Sequence, residues 1–381
     1  MRALSRALLY WGADMHIKAT IHVVKDKGAV ALYNRSELEI SSTTTRLSEE
    51  DLNVSLGRVL VEEFQAEVLK WLRERVELVV VNPWVEPQRW ESEVTRVDAV
   101  ISRKGKITRE QIEKGAGRLR IIARTGVGVD PSRVDLEAAR EFKVWVTNQP
   151  GSNAVSVAEL VFGQMIALVR HTHDADRAVK ENRWSDYLKF IGSELAGKTV
   201  GIVGMGNIGA RVALRARAFE MDFLVHDPYI PESHVSALGG KLTGLDELFS
   251  DADFVTIHCP LNGETRAMIG AKYLGLMKRT AYLINAARGG IVDENTLLAV
   301  LREKRIAGAA LDVIASEPPQ RDHPLFKLDN VLWTPHLGAV TLEASERGEW
   351  GAAEEVIRVL ESKRPKNPVV DADEARLLLP A

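Results

Sequence analysis

Lys198-Thr-Val-Gly-Ile-Val-Gly204-Met-Gly206-Asn207-Ile208-Gly209 joins an apolar run of strand character to three glycines and then to a helix-like stretch from Ala210 to Phe219. Glycines at this spacing permit a tight turn, bring the backbone close to a pyrophosphate and let a helix pack against the strand. The start of that helix adds unpaired amides and a positive dipole end for the phosphates. A bare glycine triplet is common in loops, so the surrounding residues carry the argument. Met221-Asp-Phe-Leu-Val-His226 reads as the next strand. Asp227 falls roughly 20 residues beyond the fingerprint, where an acid bonds the adenosine ribose. A turn acid before Pro228 is the blander reading, and the spacing outweighs it. Asp227 would also repel a phosphate on that ribose, and Pro228 and Tyr229 stand where basic residues would welcome one. The expected cofactor is NAD rather than NADP.

Downstream, Thr280-Ala-Tyr-Leu-Ile-Asn-Ala286-Ala287-Arg288-Gly-Gly is followed by Leu311-Asp312-Val313, by Glu317-Pro318 and by Thr334-Pro335-His336-Leu-Gly. Moving a hydride and a proton onto an anionic 2-oxo acid requires an arginine, a glutamate and a histidine of this kind. The arginine clamps a carboxylate with a planar fork. The histidine exchanges a proton near neutral pH, and a carboxylate on its other ring nitrogen fixes the tautomer. Arg288 between two alanines and two glycines is a poor surface cap. His336 alone would read as a satisfied loop histidine; Glu317 reverses that reading. His171 and His173 have no carboxylate or cysteine partners at metal-ligand spacing, so no metal is expected.

The chain has 381 residues, 45% of them hydrophobic, enough for two ordinary cores, and no apolar stretch is long enough to span a bilayer. A net charge of −3 with interspersed signs gives no general attraction to nucleic acid or to an anionic membrane. The single cysteine, Cys259, excludes an internal disulfide and points to a reducing cytoplasm. It reads as a packed small residue at a strand end. Arg2 and Arg6 precede an apolar run, Ala7 to Trp11, too short for a signal sequence. Arg103, Lys104, Arg118 and Arg120 read as solvated, the alternative being that Arg103 or Lys104 reaches a substrate phosphate. Trp71, Trp84, Trp90, Trp145 and Trp184 read as packing residues.

Beyond Arg58 strand-like stretches (Arg58 to Val61, Val76 to Val81, Ala99 to Ser102, Leu119 to Arg124, Lys143 to Thr147) alternate with helical ones (Glu62 to Glu74, Thr108 to Lys114, Leu136 to Glu141). Such alternation argues for a parallel sheet covered by helices on both faces. Residues 1–56 do not fit it: Ile21 to Val24 and Ala29 to Tyr33 suit a hairpin, and Ser41 to Thr45 a polar linker. Asn148-Gln-Pro-Gly-Ser-Asn153 punctuates the chain before an apolar helix from Ala154 to Val169. Strands follow at Val255 to His258, Ala281 to Asn285 and Ala307 to Val313, then a second break at Thr334-Pro335 and a helix from Leu342 to Glu361 expected to return to the first domain. The histidine thus sits at a domain crossing, where closure would complete the site and exclude water.

From about Gly57 to Val370 the chain resembles the NAD-dependent D-2-hydroxyacid dehydrogenases, nearest to phosphoglycerate dehydrogenase and to glyoxylate or hydroxypyruvate reductase. The matching motifs are Arg124-Thr-Gly126-Val127-Gly128-Val-Asp130, Asn153-Ala-Val-Ser-Val-Ala-Glu159, the glycine fingerprint, His258-Cys-Pro260-Leu-Asn262 with Thr265, Ala287-Arg288-Gly-Gly with Val292-Asp293, Leu311-Asp312-Val313, Glu317-Pro318 and Pro335-His336-Leu-Gly338. The resemblance implies a Rossmann cofactor domain (151–335) inserted in a discontinuous flavodoxin-like substrate domain (57–150 and 336–370), and a homodimer built largely through the cofactor domain. It favours a strand at Val59 over one long amphipathic helix from Ser48 to Glu74, which the apolar spacing also allows.

Carried over by position, His336 would be the acid and base at the substrate oxygen, paired with Glu317. Arg288 would hold the carboxylate, with the amides of Val127 and Gly128 as further anchors. Gly204, Gly206, Asn207, Ile208, Gly209, Asp227, His258, Pro260 and Thr265 would surround the dinucleotide, and Ala286, Ala287 and Asp312 would lie beside its nicotinamide. The chain departs from the family in Pro131-Ser-Arg-Val-Asp135 and in Ser102-Arg103-Lys104, where phosphoglycerate dehydrogenases tend to show Arg-Ser. Only a short tail follows residue 370, so no serine-sensing domain is expected. Glu317, where formate dehydrogenases tend to have Gln, argues against formate. The expected function is reversible reduction of a small 2-oxo acid, of the phosphoglycerate, glycerate or glycolate type. The competing class is a non-catalytic, NAD(H)-responsive corepressor-like binding protein. Met15 is an alternative start.

Overall fold

A computed structural model describes residues 55–129 and 133–374 and short strands at 6–7, 21–26, 29–33 and 376–377. The expectations placed on 41–45, on Met15 and on the loop at 130–132 lie outside the described residues. Two units are distinguished, 1–55 and 56–381. In the first, Ile21–Asp26 and Ala29–Tyr33 pair antiparallel as the hairpin the sequence suggests, and Arg6–Ala7 adds to Ile21–Asp26.

The second unit holds two seven-stranded sheets. Strands β1 (Arg58–Val61), β2 (Glu77–Val80), β3 (Ala99–Ser102), β4 (Ile121–Arg124) and β5 (Trp145–Thr147) are parallel neighbours in the order β2-β1-β3-β4-β5. The strand at Arg58 removes the reading of Ser48 to Glu74 as one helix; the helix there is only Ala66–Arg73. The second sheet is β6 (Thr199–Val203), β7 (Asp222–His226), β8 (Lys241–Leu242), β9 (Phe254–Ile257), β10 (Tyr282–Asn285), β11 (Gly308–Leu311) and β12 (Val331–Trp333). Its order, β8-β7-β6-β9-β10-β11-β12, is parallel throughout. The chain then returns to the first sheet, where β13 (Pro368–Asp371) runs antiparallel to β5 and β14 (Arg376–Leu377) forms the edge.

Strands covered on both faces should read as continuous apolar runs, and β3, β4, β9 and β11 are buried at every residue. Apolar clusters line both faces of each sheet. Full burial of a side chain such as Phe249 or Phe254 stabilises by about 1.5–3 kcal/mol.

Three helices position the site. Helix α1 (Ala154–Arg170) buries Ala154, Val157, Ala158, Val161, Met165 and Val169, a helical stripe that packs on the second sheet. Helix α2 (Asn207–Ala218) starts three residues earlier than the apolar pattern suggests, because Gly206 already serves as its N-cap. Helix α3 (Leu342–Leu360) is capped by the Thr341 hydroxyl, which accepts from Ala344 N–H at 3.1 Å. It lies on β3 and β4 so closely that a Cβ at Gly348 would come within 2.2 Å of the Thr125 carbonyl.

Two groups of surface residues differ from expectation. Trp90 and Trp145 are buried and Trp71 packs edge-on against Trp350, but Trp84 and Trp184 are 72% and 75% exposed. Trp84 follows the edge strand β2, and Trp184 opens a short 3-10 helix whose Tyr187 and Leu188 are also exposed. Arg103 and Arg120 are more than solvated: Arg103 pairs with Glu349, and Arg120 donates to the carbonyls of Val359 and Leu360.

Candidate active site

Parallel sheets gather ligands at the carboxyl ends of their strands, where strand order reverses. In the second sheet that place is between β6 and β9. Gly204 leaves β6 with φ 96°, and a Cβ there would meet Cys259 N at 2.7 Å, so this turn sits directly on the exit of β9. A Cβ at Gly209 would lie 2.1 Å from the Gly204 carbonyl, which shows how tightly α2 is drawn onto its strand. Asn207 and Ile208 open the helix, with Gly206 as its N-cap. An open cavity of about 580 Å³ is lined here by Met205, Gly206, Asn207, Ala210, Arg211 and Leu214. Asp227, at the end of β7, accepts from Met205 N–H at 2.8 Å and Tyr229 N–H at 3.0 Å, so its carboxylate stands beside the glycine turn.

On the other side, Pro260 and Thr265 close one turn, the Thr265 hydroxyl donating to the Pro260 carbonyl at 2.6 Å. His258 Nε2 lies 2.9 Å from Thr256 Oγ1, while its Nδ1 is buried and has no partner among the described residues. Burial pushes the imidazole down to about 3, so it stays neutral. Burial pushes the neighbouring Cys259 thiol up to about 11, which leaves it protonated and inert.

Arg288 is presented by the loop after β10. Asn285, 1% exposed, shapes that loop: its Nδ2 donates to the Arg288 carbonyl at 3.0 Å and its Oδ1 accepts from Ala287 N–H at 3.1 Å. Ala286 and Ala287 keep the approach free of bulk. The guanidinium donates to the Ala287 carbonyl at 2.8 Å and otherwise points across to the first sheet, where a Cβ on Gly128 would fall 1.7 Å from its Nη2. No carboxylate among the described residues lies within salt-bridge distance of it. The Val127 carbonyl accepts from Asn148 Nδ2 at 2.6 Å, and the amides of Val127 and Gly128 have no acceptor among the described residues.

His336 Nδ1 lies 2.7 Å from Glu317 Oε2. An ionised carboxylate only accepts, so Nδ1 holds the proton and Nε2 is the nitrogen left for a ligand. Partial burial raises the Glu317 carboxyl, but the hydrogen bond and charge of His336, with Ile314 N–H and Arg288, outweigh it and hold the group below the usual range. The His336 backbone is left-handed, φ 55°, and is wrapped around Asp312. The carboxylate of Asp312, 2% exposed, accepts from Thr334 Oγ1 at 2.6 Å, Leu337 N–H at 2.7 Å and Gly338 N–H at 2.9 Å, while its carbonyl accepts from His336 N–H at 2.8 Å. This shaping of the histidine loop is not visible in the sequence.

Arg288 is therefore set against Gly128 and within electrostatic reach of Glu317, which pairs with His336. Sequence reasoning missed Arg211, whose i, i+4 spacing from Asn207 was the available signal.

The family described as D-isomer specific 2-hydroxyacid dehydrogenase, NAD binding domain, matches residues 162–338. The D-3-phosphoglycerate dehydrogenase of Methanocaldococcus jannaschii is 41% identical over 82% of this chain, which spans only 59% of that relative. The hydroxypyruvate reductase of Thermotoga maritima is 39% identical over 74% of this chain and 90% of its own length. Among solved structures, the NAD-dependent formate dehydrogenase of Staphylococcus aureus in complex with NAD is 29% identical, with a TM-score of 0.71 over 85% of this chain and 99% of that one.

Proposed function

The chain belongs to the D-isomer specific 2-hydroxyacid dehydrogenase family and carries its NAD binding domain, and from that membership we propose that it reversibly transfers a hydride between NAD and a small D-2-hydroxy acid or its 2-oxo partner. The observation that carries this reading is Arg288, a crevice arginine with no protein carboxylate among the described residues, placed against Gly128 and near the His336–Glu317 pair. Its fork suits the substrate carboxylate, and the amides of Val127 and Gly128 add donors that need no reorganisation.

NAD, when bound, supplies or accepts the hydride; the residues that fit it are the glycine turn, Asn207, Ile208, Asp227, the 258–265 segment and Ala286, Ala287 and Asp312. In the reducing direction His336 Nε2 gives its proton to the substrate oxygen as the carbonyl carbon is reduced. Glu317 holds the imidazole upright and stabilises its protonated form before transfer. In oxidation the same nitrogen takes the hydroxyl proton. The segments 57–150 and 336–370 are assigned to the acid and 151–335 to the cofactor. A cytoplasmic homodimer accords with the reading, and the exposed apolar run Trp184, Tyr187, Leu188 and Ile191 is the surface a second copy would cover.

The test is oxidation of NADH with glyoxylate, hydroxypyruvate and phosphohydroxypyruvate. Turnover of at least one is expected. NADH binding without turnover of any 2-oxo acid would favour the corepressor-like class.

A further inference from the structure

In the first sheet strand order reverses between β1 and β3, so their carboxyl ends form the second wall of the crevice. The exit of β4, one strand further, is where Gly128 meets Arg288, and it is tied to β3 by Thr125 N–H donating to the Ser102 carbonyl at 3.2 Å. The loop Ser102–Gly105 therefore stands next to the substrate position. Its charges decide whether a second anionic group on the substrate finds a partner.

The buried part of that loop is already engaged inside the protein. Glu62, 7% exposed at the end of β1, uses one oxygen to accept from Ser102 Oγ at 3.0 Å and from the amides of Arg103, Lys104 and Gly105 at 2.8 Å each. Three successive amides make an anion cradle, and Glu62 fills it. Arg124, 4% exposed, donates to Ser102 Oγ at 2.8 Å, to the Gly105 carbonyl at 3.3 Å and to the Arg103 carbonyl. The Arg103 guanidinium pairs with Glu349 of α3, 2% exposed, whose other oxygen accepts from Gln65 N–H at 2.9 Å. Lys104 extends from the loop into solvent, where water and salt screen it.

We propose, resting on the dehydrogenase reading above, that Glu62 and Glu349 occupy the amide cradle and the Arg103 guanidinium that a phosphate would need, so that the protein takes 2-oxo acids whose sole anionic group is the carboxylate and discriminates against phosphorylated ones. Arg103–Glu349 is then the specificity-determining pair. A phosphate brought to this wall would find the three amides and the Arg103 guanidinium already held by carboxylates, and like charges at those two points suppress the wrong partner. Recruiting Arg103 to it would leave Glu349 buried without its counter-charge, which is strongly disfavoured.

The experiment compares kcat/KM of the full chain, with NADH, for hydroxypyruvate and phosphohydroxypyruvate, which differ only in the phosphate. The wild type should prefer hydroxypyruvate by about 10-fold or more, a margin that pocket contacts alone can supply. Glu349→Gln, which frees Arg103, should move the ratio toward the phosphorylated acid by about 10-fold, and adding Arg103→Gln should reverse that shift. A wild-type preference for phosphohydroxypyruvate overturns the proposal, and that comparison depends on no variant folding. So does an Arg103→Gln single variant that loses phosphohydroxypyruvate turnover while keeping that of hydroxypyruvate. Failure to reduce either acid while NADH still binds would instead sink the parent reading.

Discussion

His336 Nδ1 lies 2.7 Å from Glu317 Oε2, although the two residues come from loops 19 positions apart. The contact depends on Asp312, which takes three donors from residues 334–338 and so bends the chain to bring the imidazole to the glutamate. A buried carboxylate thus acts as the former around which the histidine loop is folded. A protein that needed only a surface histidine at this point would have no use for such an arrangement.

Glu317→Gln should lower kcat by about 100-fold, since the imidazole loses both its orientation and its counter-charge. The folded carboxyl titrates below its unfolded counterpart. Its stabilising contribution is therefore complete above the unfolded pKa and disappears as pH falls through the folded one. Melting temperature against pH should drop less steeply on the acid side in the variant than in the wild type. Parallel curves with unchanged kcat would remove Glu317 from the mechanism.

Gly128→Ala should act through Arg288. The added methyl would sit 1.7 Å from Nη2. A flexible guanidinium can swing away, so folding is preserved while the clamp is displaced. Displacing a positioning group by about 1 Å costs about 100-fold in rate. Reduced kcat/KM with an unchanged melting temperature is expected. Normal kinetics would place the substrate carboxylate elsewhere.

Asp227→Ala should weaken NADH by about 10-fold, because a hydrogen bond to a charged group is worth roughly 1.5–3 kcal/mol. NADPH should bind no worse, or better, once the repelling carboxylate is gone. Titration of both nucleotides by fluorescence reads this directly. Equal loss for both would reduce Asp227 to a brace for the Met205 turn.

His258 provides a second handle on acid stability. Its folded pKa of about 3 lies below the ordinary 6.5, so the unfolded chain binds the proton first as pH falls. Stability should decline from pH 6.5 toward 3 on this account. His258→Gln should flatten that limb in denaturant titrations. An unchanged slope would mean the imidazole is hydrated and protonates in place.

The second sheet is legible because its central strands are buried on both faces and followed by glycines at the dinucleotide-type spacing. Its central strands Thr199–Val203 and Phe254–Ile257 stand out as short apolar runs, while Asp222–His226, nearer the edge, alternates. Residue type and order single out Arg288, Glu317 and His336 in the sequence, and the fold puts Glu317 against His336 with Arg288 near enough to influence it. The loop geometry is not, since Asp312 reaches Gly338 across 26 positions and no local pattern encodes that contact. The same holds for Glu62 and Glu349, whose partners lie 40 or more positions away. A packing reading fails at Trp84 because a loop residue after an edge strand has nothing to cover it, and at Trp184 because it opens a short 3-10 helix whose Tyr187 and Leu188 are exposed with it.

The most direct measurement is NADH oxidation by wild type and His336→Gln with the 2-oxo acid panel, alongside NADH affinity. The account predicts turnover in the wild type, equal NADH affinity in both, and kcat lower by about 100-fold or more in the variant. Near-normal turnover by His336→Gln would contradict it.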